Sequence, residues 1–326
     1  MKFRYAPLAL VAALALSLTA ASAQTPTADA KALHIVIPFT VGGAQDAIGR
    51  YLGNKLATRL GVPVIIDNKA GAGGVIAADA VAKSLPDGNT LLLATGGAIS
   101  IAPHLNPKLP YDVKRDFTAV AMLADTPMTL GVRSQSPYTS VADVLRDAKA
   151  RPGQVTFAST GNGTVSHLTG ELFAQTAGVQ LLHVPYRGAG PAMTDLLGGQ
   201  VALVVTSATS IDPMVEGGKA RVLASFTSGR MPTLRGAPTM NEAAGIKGLE
   251  VPVWVGLLAP SKTPAAQVEK LSAEILAICN MPETRAHFRA VGAVPTCGGS
   301  KELAKVVTDD LQRWSKVIRQ GNIKAE

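Results

Sequence analysis

Two glycine-bearing turns constrain this chain most, because each stands where a short apolar run passes into a helical pattern. The first turn, residues 39–46, follows the apolar run 33–37, and the second, residues 159–164, follows the run 155–158. This order is typical of a strand, a loop and a helix. A helix start has backbone N–H groups without partners and carries a partial positive charge. Two such turns facing each other across a cleft therefore predict a site for a small anion that needs no charged side chain.

Short apolar runs alternate with helical patterns along the chain. Strands are predicted at 33–37, 64–66, 90–94, 128–132, 155–158, 181–184, 201–205 and 253–257. Helices are predicted at 44–60, 75–85, 141–150, 165–177, 191–197, 264–279 and 282–290, and from 300 to near the end. This alternation predicts an α/β fold of open parallel sheets covered by helices, with ligands bound at the carboxyl ends of the strands.

The first residues have the pattern of a secretory signal. Lys2 and Arg4 precede the apolar stretch 7–20, and Ala21-Ser22-Ala23 fits an A-x-A cleavage site. We therefore expect residues 1–23 to be removed on export and the mature protein to be periplasmic. The alternative, a membrane anchor, fits less well because the apolar run is short for a spanning helix.

Composition limits the partners. The formal net charge is +8, but the basic residues are dispersed and form no stripe with aromatic residues, which argues against nucleic acid. The chain that remains after the signal is longer than one hydrophobic core usually supports, which predicts two lobes. The two cysteines, Cys279 and Cys297, either form a disulfide or are separate buried thiols, and the sequence leaves both open.

Polar residues around the turns are the candidate ligand contacts. In the first turn, Gly42 and Gly43 bring backbone N–H groups close to a ligand, whereas Asp46 either stabilises the helix start or touches the ligand. The second turn has more hydroxyls and glycines than a helix cap needs, which favours binding. Its candidate residues are Ser159, Thr160, Gly161, Gly163 and Thr164.

Further candidates lie beyond the two turns. His167, one turn into the helix, is either a structural hydrogen-bond partner or a ligand contact. Tyr186 follows another strand and is placed to wall a pocket, Arg187 either pairs with a carboxylate or is simply exposed, and Thr206 closes a further strand.

Patterns of other chemistries are missing from the sequence. The run Gly71-Ala72-Gly73-Gly74 has no Lys-Ser or Lys-Thr at P-loop spacing, and Ile76 occupies the third glycine position of the dinucleotide pattern. There is no H-E-x-x-H motif and no G-x-S-x-G motif. We therefore predict no metal, no cofactor and no catalytic residue.

An ordered set of short motifs identifies a resemblance. They are PFxxGGxxDxxxR (38–50), DNKAGAGG (67–74), PDGxTLL (86–92), LPYD (109–112), HLxGELF (167–173), VPYRG (184–188) and DLLGGQ (195–200). With them the chain resembles, over essentially all of its length after the signal, the periplasmic solute-binding receptors of tripartite tricarboxylate transporters, also called Bug-type receptors.

The resemblance implies an α/β, two-lobed periplasmic-binding-protein fold (Venus flytrap, type II-like) with two crossover strands near 125–129 and 250–254. Lobe 1 comprises residues 24–127 and 253–326, and lobe 2 comprises residues 128–252. It also implies a monomer, without cofactor, that captures a small carboxylate between the lobes and delivers it to the membrane subunits of a tripartite tricarboxylate transporter. The implied ligand-binding residues are Phe39, Gly42, Gly43, Ala44, Asp46, Thr95, Ser159, Thr160, Gly161, Thr164, His167, Tyr186 and Thr206.

Two departures bear on the ligand. Ile99 and Ala102 stand where the family commonly has polar residues. If the loop 95–102 lines the pocket, the pocket is less polar there, which favours a small polar tricarboxylate less and leaves an aromatic or longer aliphatic acid as an alternative ligand. Two other functions stay open. One is a binding protein that feeds a sensor kinase, and the other is an exported enzyme that uses Asp46 or His167 as acid or base.

Overall fold

The apolar runs of the chain form two mixed β-sheets in the computed structural model. The structure describes residues 31–231, 234, 236–321 and 323, so the predicted signal peptide lies outside the described residues. The strands are β1 (Leu33–Ile37), β2 (Val64–Asn68), β3 (Thr90–Ala94), β4 (Phe117–Asp125), β5 (Met128–Arg133), β6 (Thr156–Ser159), β7 (Leu182–Pro185), β8 (Leu203–Ser207), β9 (Ala220–Ser225), β10 (Trp254–Pro260) and β11 (Val294–Gly298).

Helices connect most of these strands. They are α1 (Ala44–Leu60), α2 (Val75–Ala82), α3 (Ala102–Leu105), α4 (Val113–Asp116), α5 (Val141–Ala150), α6 (Val165–Thr176), α7 (Ala189–Leu197), α8 (Ala208–Glu216), α9 (Met240–Ala244), α10 (Ala265–Cys279), α11 (Pro282–Ala290) and α12 (Ser300–Gly321). A 3-10 turn at Ala72–Gly74 precedes α2, and a short π-helical segment at Gly97–Ile101 precedes α3. Among the helices of the described residues, none is both long and apolar enough to cross a membrane.

Strand order explains how the sheets are built. The six-stranded sheet has the order β11-β4-β10-β3-β1-β2, and the five-stranded sheet has the order β7-β6-β8-β5-β9. The pairs around β1 and β6 are parallel, whereas β10, β11 and β5 pair antiparallel with their neighbours. The α/β prediction is confirmed, whereas the expectation of parallel sheets holds only in part, because both sheets are mixed. The alternation of strands and helices predicts only the parallel strand pairs. The strands next to the crossings between the sheets run antiparallel to their neighbours.

Three strands were not predicted: β4, β9 and β11. The β4 sequence, FTAVAMLAD, is rich in alanine and buries most of its residues, so its pattern does not separate a strand from a buried helix. β11 contains a proline and lies at the edge of its sheet, where proline is tolerated. Each of these strands is identified from the strands with which it pairs, and not from an alternation of apolar and polar residues in its own sequence.

The chain crosses between the sheets at two adjacent places. It leaves the six-stranded sheet after Asp125 and enters the five-stranded sheet at Met128. It returns to the six-stranded sheet at Trp254. The two crossings are joined because the Thr126 N–H donates to the Val253 carbonyl oxygen at 2.8 Å. The residue limits of the two lobes stay a prediction, since the chain from Ala32 onward groups as one compact unit.

Helix α12 packs against both sheets. Leu303, near its start, belongs to the core beside the six-stranded sheet, whereas Trp314 and Ile318 belong to the core of the five-stranded sheet. Asp310 lies between them and accepts a hydrogen bond from the Trp254 indole N–H at 2.8 Å, next to the second crossing. Burial raises the pKa of Asp310. The apolar face of α12 therefore joins the two halves of the core.

Cys279 and Cys297 form a disulfide, with their Cα atoms 5.6 Å apart. It joins the end of α10 to β11. This resolves the choice that the sequence left open.

Candidate anion-binding cleft

A cavity lies between the loops at the strand ends of the two sheets. The room within it for the centre of a water molecule is about 30 Å³, and all the space free of atoms, open solvent included, amounts to about 440 Å³. The lining residues are Phe39, Gly43, Gln45, Thr95, Thr126, Met128, Thr160, Thr164, Val165, Ser166, Ala189, Ser207, Ser210 and Val253. Among these described residues none has a charged side chain, so the lining offers hydroxyls, one amide and backbone groups.

Four helices begin at this cavity. The residues that precede α1, α6, α7 and α8 are Gly43, Thr164, Gly188 and Ser207, and each helix contributes lining residues at its start. Only α6 has a side-chain cap, from Thr164. The first N–H groups of a helix have no acceptor within the helix, and its start carries a partial positive charge. The cavity is therefore suited to a negative group, although the lining residues that the structure describes include no cation.

The first turn is held by Asp46, which is buried. Its carboxylate accepts hydrogen bonds from the Gly42 N–H at 3.1 Å, the Arg50 Nε at 2.9 Å and the Asn68 Nδ2 at 3.0 Å. Burial pushes the pKa of Asp46 upward, but these hydrogen bonds outweigh it and hold the pKa below its usual range. Asp46 therefore shapes the turn, and the Gly42 N–H is already used within it.

The donors left at the first turn come from the residues after Gly42. Within the described residues, the N–H groups of Gly43, Ala44 and Gln45 have no acceptor, and the first bond of the helix runs from the Ala47 N–H to the Gly43 carbonyl at 3.1 Å. Gly43 has φ −90° and ψ 174°, which any residue adopts. Gly43 therefore matters here because its missing side chain leaves space beside the cavity, and not because it adopts a conformation that other residues avoid.

The second turn uses most of its own donors. The N–H groups of Thr160, Gly161 and Gly163 donate to the side chains of Ser166 at 3.0 Å, Ser159 at 3.1 Å and His167 at 3.2 Å. Gly161 and Gly163 have φ values of 136° and 70°, where glycine is favoured. These two glycines therefore fold the turn, and their N–H groups are not free for a ligand.

The unpaired N–H groups beside the second turn belong to the start of α6, and they are not among the residues predicted from the sequence. The Thr164 hydroxyl accepts from the His167 N–H at 3.3 Å, while the N–H groups of Val165 and Ser166 have no acceptor among the described residues. Thr164 itself was the available signal, because an N-cap hydroxyl satisfies one N–H group and leaves the preceding ones unpaired.

His167 supports the second turn from behind. Its ring is buried, accepts the Gly163 N–H at Nδ1 and stacks on the His183 ring with centroids 3.9 Å apart. Burial lowers the pKa of His167 to about 4, and burial together with the neighbouring His167 lowers the pKa of His183 to about 3. His183 Nε2 lies 2.6 Å from the Ser159 hydroxyl. Both rings are therefore neutral at neutral pH and hold the turn in place.

The structure separates the predicted site residues into three groups. Those lining the cavity are Phe39, Gly43, Thr95, Thr160 and Thr164. Gly161, Tyr186 and the exposed Arg187 line a neighbouring cavity, which also touches Phe39 and Thr160. Those in neither lining are Gly42, Ala44, Asp46, Ser159, His167 and Thr206. Which of them touch a ligand stays a prediction.

Several of these residues have other partners or surroundings. The Tyr186 hydroxyl donates to Asp195 at 2.6 Å. Thr206 is fully buried, and its hydroxyl has no hydrogen-bond partner in the part of the chain that the structure describes. Ile99 and Ala102 are buried and outside the cavity lining, so their apolar character does not make this pocket less polar.

Within the described residues, no group of His, Cys, Asp and Glu side chains is arranged to hold a metal ion.

We expect stability to fall as the pH drops below about 6.5, the ordinary pKa of histidine. The folded-state pKa values of His167 and His183 are about 4 and about 3, so the unfolded chain takes up protons first. His167 alone should lower the free energy of unfolding by about 3 kcal/mol between pH 7 and pH 4. Urea unfolding over this range measures the loss, and a His167→Gln/His183→Gln variant should show a flatter dependence. Ring resonances of both histidines titrating near pH 6.5 in the folded protein would contradict the assignment.

Replacing Asp46 by alanine should destabilise the protein without any ligand present. The substitution removes the acceptor of the Gly42 N–H and one acceptor each of Arg50 and Asn68, which keep their bonds to the Asn68 Oδ1 and the Phe39 carbonyl oxygen. We therefore expect a loss of about 2 kcal/mol in the free energy of unfolding. Asp309→Ala is the control, because Asp309 is exposed and pairs with Lys305 on the surface of α12. An Asp46→Ala variant with wild-type stability that no longer binds ligand would instead make Asp46 a ligand contact.

Comparison with known proteins agrees with this architecture. Residues 48–323 match the model of the tripartite tricarboxylate transporter family receptor. The chain is 38% identical over 320 residues to a UPF0065 protein from the tcbD-tcbE intergenic region of Pseudomonas sp. strain P51, covering 97% of this chain and 95% of that protein.

Two solved structures are similar over most of the chain. Rpa4515 from R. palustris, solved with adipate, is 34% identical with a TM-score of 0.86, covering 90% of this chain and 97% of that one. The periplasmic binding protein BugD is 32% identical with a TM-score of 0.85, covering 90% and 99%. They confirm the predicted periplasmic-binding-protein fold. The chain belongs to the tripartite tricarboxylate transporter receptor family.

Proposed function

We propose that this protein is a periplasmic solute-binding protein that captures a small carboxylate in the cavity between its two sheets and delivers it to the membrane subunits of a tripartite tricarboxylate transporter. One observation carries the proposal: four helices begin at a cavity whose described lining has no charged side chain. A carboxylate supplies the negative charge that such a lining lacks and accepts hydrogen bonds from the unpaired N–H groups.

The chemistry of binding follows from the unpaired donors. A carboxylate has two oxygens with about four acceptor positions. Of the residues whose N–H groups have no acceptor among the described residues, Gly43 and Gln45 line the cavity beside the six-stranded sheet, and Val165 and Ser166 line it beside the five-stranded sheet. Hydrogen bonds from N–H groups to a charged acceptor are strong, and exclusion of water strengthens them further. A carboxylate that accepts from both sides stabilises the state in which the two sheets approach each other.

Two observations support the class of ligand and the compartment. Rpa4515 was solved with adipate, a dicarboxylate, and shares the fold over 90% of this chain. We therefore propose a di- or tricarboxylate or an aromatic acid. The disulfide between Cys279 and Cys297 suits an oxidising compartment such as the periplasm, where a signal peptide at residues 1–23 would direct the chain.

Two alternatives have less support. An exported enzyme would need Asp46 or His167 beside the ligand, whereas both lie outside the cavity lining and are bonded within their turns. A binding protein that feeds a sensor kinase would use the same cavity, and it differs from our proposal only in its partner. The residues that line the cavity all come from one chain, so a monomer is sufficient to bind the ligand.

Titration of the purified protein with adipate, malate, citrate and benzoate tests the proposal. We expect at least one acid to bind with a dissociation constant on the order of micromolar, about −8 kcal/mol, and to raise the melting temperature by mass action. Calorimetry and thermal unfolding measure the two effects. Adipamide is the matched control for adipate, because it keeps the chain length but has no charge and should not bind. Binding of the diamide as tightly as the acid, or no response to any acid, would contradict the proposal.

A further inference from the structure

The glycine-rich run at residues 71–74 has an unusual backbone and no part in the lining of the anion-binding cavity. Its four residues, Gly71, Ala72, Gly73 and Gly74, have φ values of 135°, 48°, 63° and 99°. Such a sequence of positive φ values is rare because most side chains disfavour it. None of these residues lines the cavity at the helix starts, and they line the neighbouring cavity instead. The run therefore has a role other than direct donation to the carboxylate.

Gly73 lies against the second turn, which belongs to the other sheet. A Cβ atom at Gly73 would be 2.5 Å from the Asn162 carbonyl oxygen and 3.3 Å from the Gly163 carbonyl carbon. These are backbone atoms, so they cannot rotate away as the end of a side chain can. The turn is further held by the bonds of the Gly161 and Gly163 N–H groups to Ser159 and His167. The contact therefore exists only because Gly73 has no side chain.

Two other glycines lie near the opposite sheet, but less tightly. The nearest neighbour of Gly97 is the Gly73 carbonyl oxygen on its own side, and that of Gly188 is a hydroxyl that can rotate. A Cβ atom at Gly97 would lie 3.4 Å from the Thr164 Cα and 3.0 Å from the Gly73 carbonyl oxygen. A Cβ atom at Gly188 would lie 2.3 Å from the Thr40 hydroxyl oxygen and 3.4 Å from its backbone nitrogen. We call these three glycines, Gly73, Gly97 and Gly188, the glycine seam. It brings the loops of the two sheets to backbone contact beside the cavity.

We infer that Gly73 controls closure of the cleft: its missing side chain permits the state in which the turns of the two sheets meet, and any side chain there favours an open state. This inference rests on the proposed function, in which ligand capture closes the cleft. A ligand that binds the closed state binds more weakly in proportion to the loss of that state. Gly73 is thus a positioning residue that changes affinity without touching the ligand.

Gly73→Ala tests this inference, and Gly61→Ala is its matched control. Gly61, at the end of α1, has φ 67° against 63° for Gly73, but a Cβ atom there would meet nothing within 4 Å. Both variants place alanine in the left-handed region, and only one meets the opposite turn. We expect Gly73→Ala to weaken binding of adipate, or of whichever acid in the panel binds, by at least tenfold, with Gly61→Ala within twofold of wild type.

A second variant separates closure from backbone strain. Gly97 does not have a positive φ, so Gly97→Ala avoids left-handed strain, and its Cβ would lie 3.0 Å from the Gly73 carbonyl oxygen and 3.4 Å from the Thr164 Cα of the opposite turn. We expect it to weaken binding in the same direction as Gly73→Ala, by a smaller factor. Far-ultraviolet circular dichroism and thermal unfolding show whether each variant is folded. Equal losses in Gly73→Ala and Gly61→Ala, or wild-type affinity in Gly73→Ala, would overturn the inference.

A conformational measurement keeps the inference independent of the ligand. Spin labels on cysteines introduced at Asn54 of α1 and Lys149 of α5, both exposed, report the separation of the two sheets by pulsed electron resonance. Wild type should populate a closed-state distance, with or without acid, that Gly73→Ala lacks. If no acid binds wild type, the proposed function fails while this comparison still tests Gly73. Coinciding distance distributions for the two proteins under all conditions would overturn the inference.

Discussion

Backbone N–H groups at a helix start need acceptors, and in this protein several of them meet at one cavity without finding any among the described residues. The starts of α1 and α6 face it from different sheets, and those of α7 and α8 complete it. Because none of the described residues that line the cavity carries a positive charge, the attraction for an anion depends on where the backbone places these groups. The geometry of a few turns therefore decides both the presence of a binding site and its strength.

The side chains with the most conspicuous chemistry hold those turns rather than the ligand site itself. Asp46 gathers a backbone N–H, a guanidinium and an amide, and so sets the entry into α1. His167 and His183 stack behind the second turn and are kept neutral by burial. Charged and titratable groups are thus used as supports. This division lets the cavity stay free of fixed charge while its walls keep a defined shape.

Much of the fold follows from the sequence, since strand-helix alternation and the two glycine turns predicted the parallel units and their loops. The site was predicted less completely, for a physical reason. The sequence favours glycines as donors, yet Gly161 and Gly163 use their N–H groups inside the turn, and Val165 and Ser166 are the residues there whose N–H groups have no acceptor among the described residues. The identity of a side chain such as valine does not indicate whether the backbone N–H of that residue is already paired. Only the hydrogen-bond pattern of the folded turn distinguishes a donor that is used from one that is free.

The central claim is that a carboxylate accepts from the first N–H groups of α1 and α6. Amide nitrogen–proton NMR spectra of the protein titrated with a bound acid measure this directly. The account predicts that the largest downfield proton shifts occur at Gly43, Ala44, Gln45, Val165 and Ser166, with smaller shifts at Gly161 and Gly163. Shifts concentrated at Gly161, Gly163 and Arg187, with the starts of α1 and α6 unchanged, would contradict it.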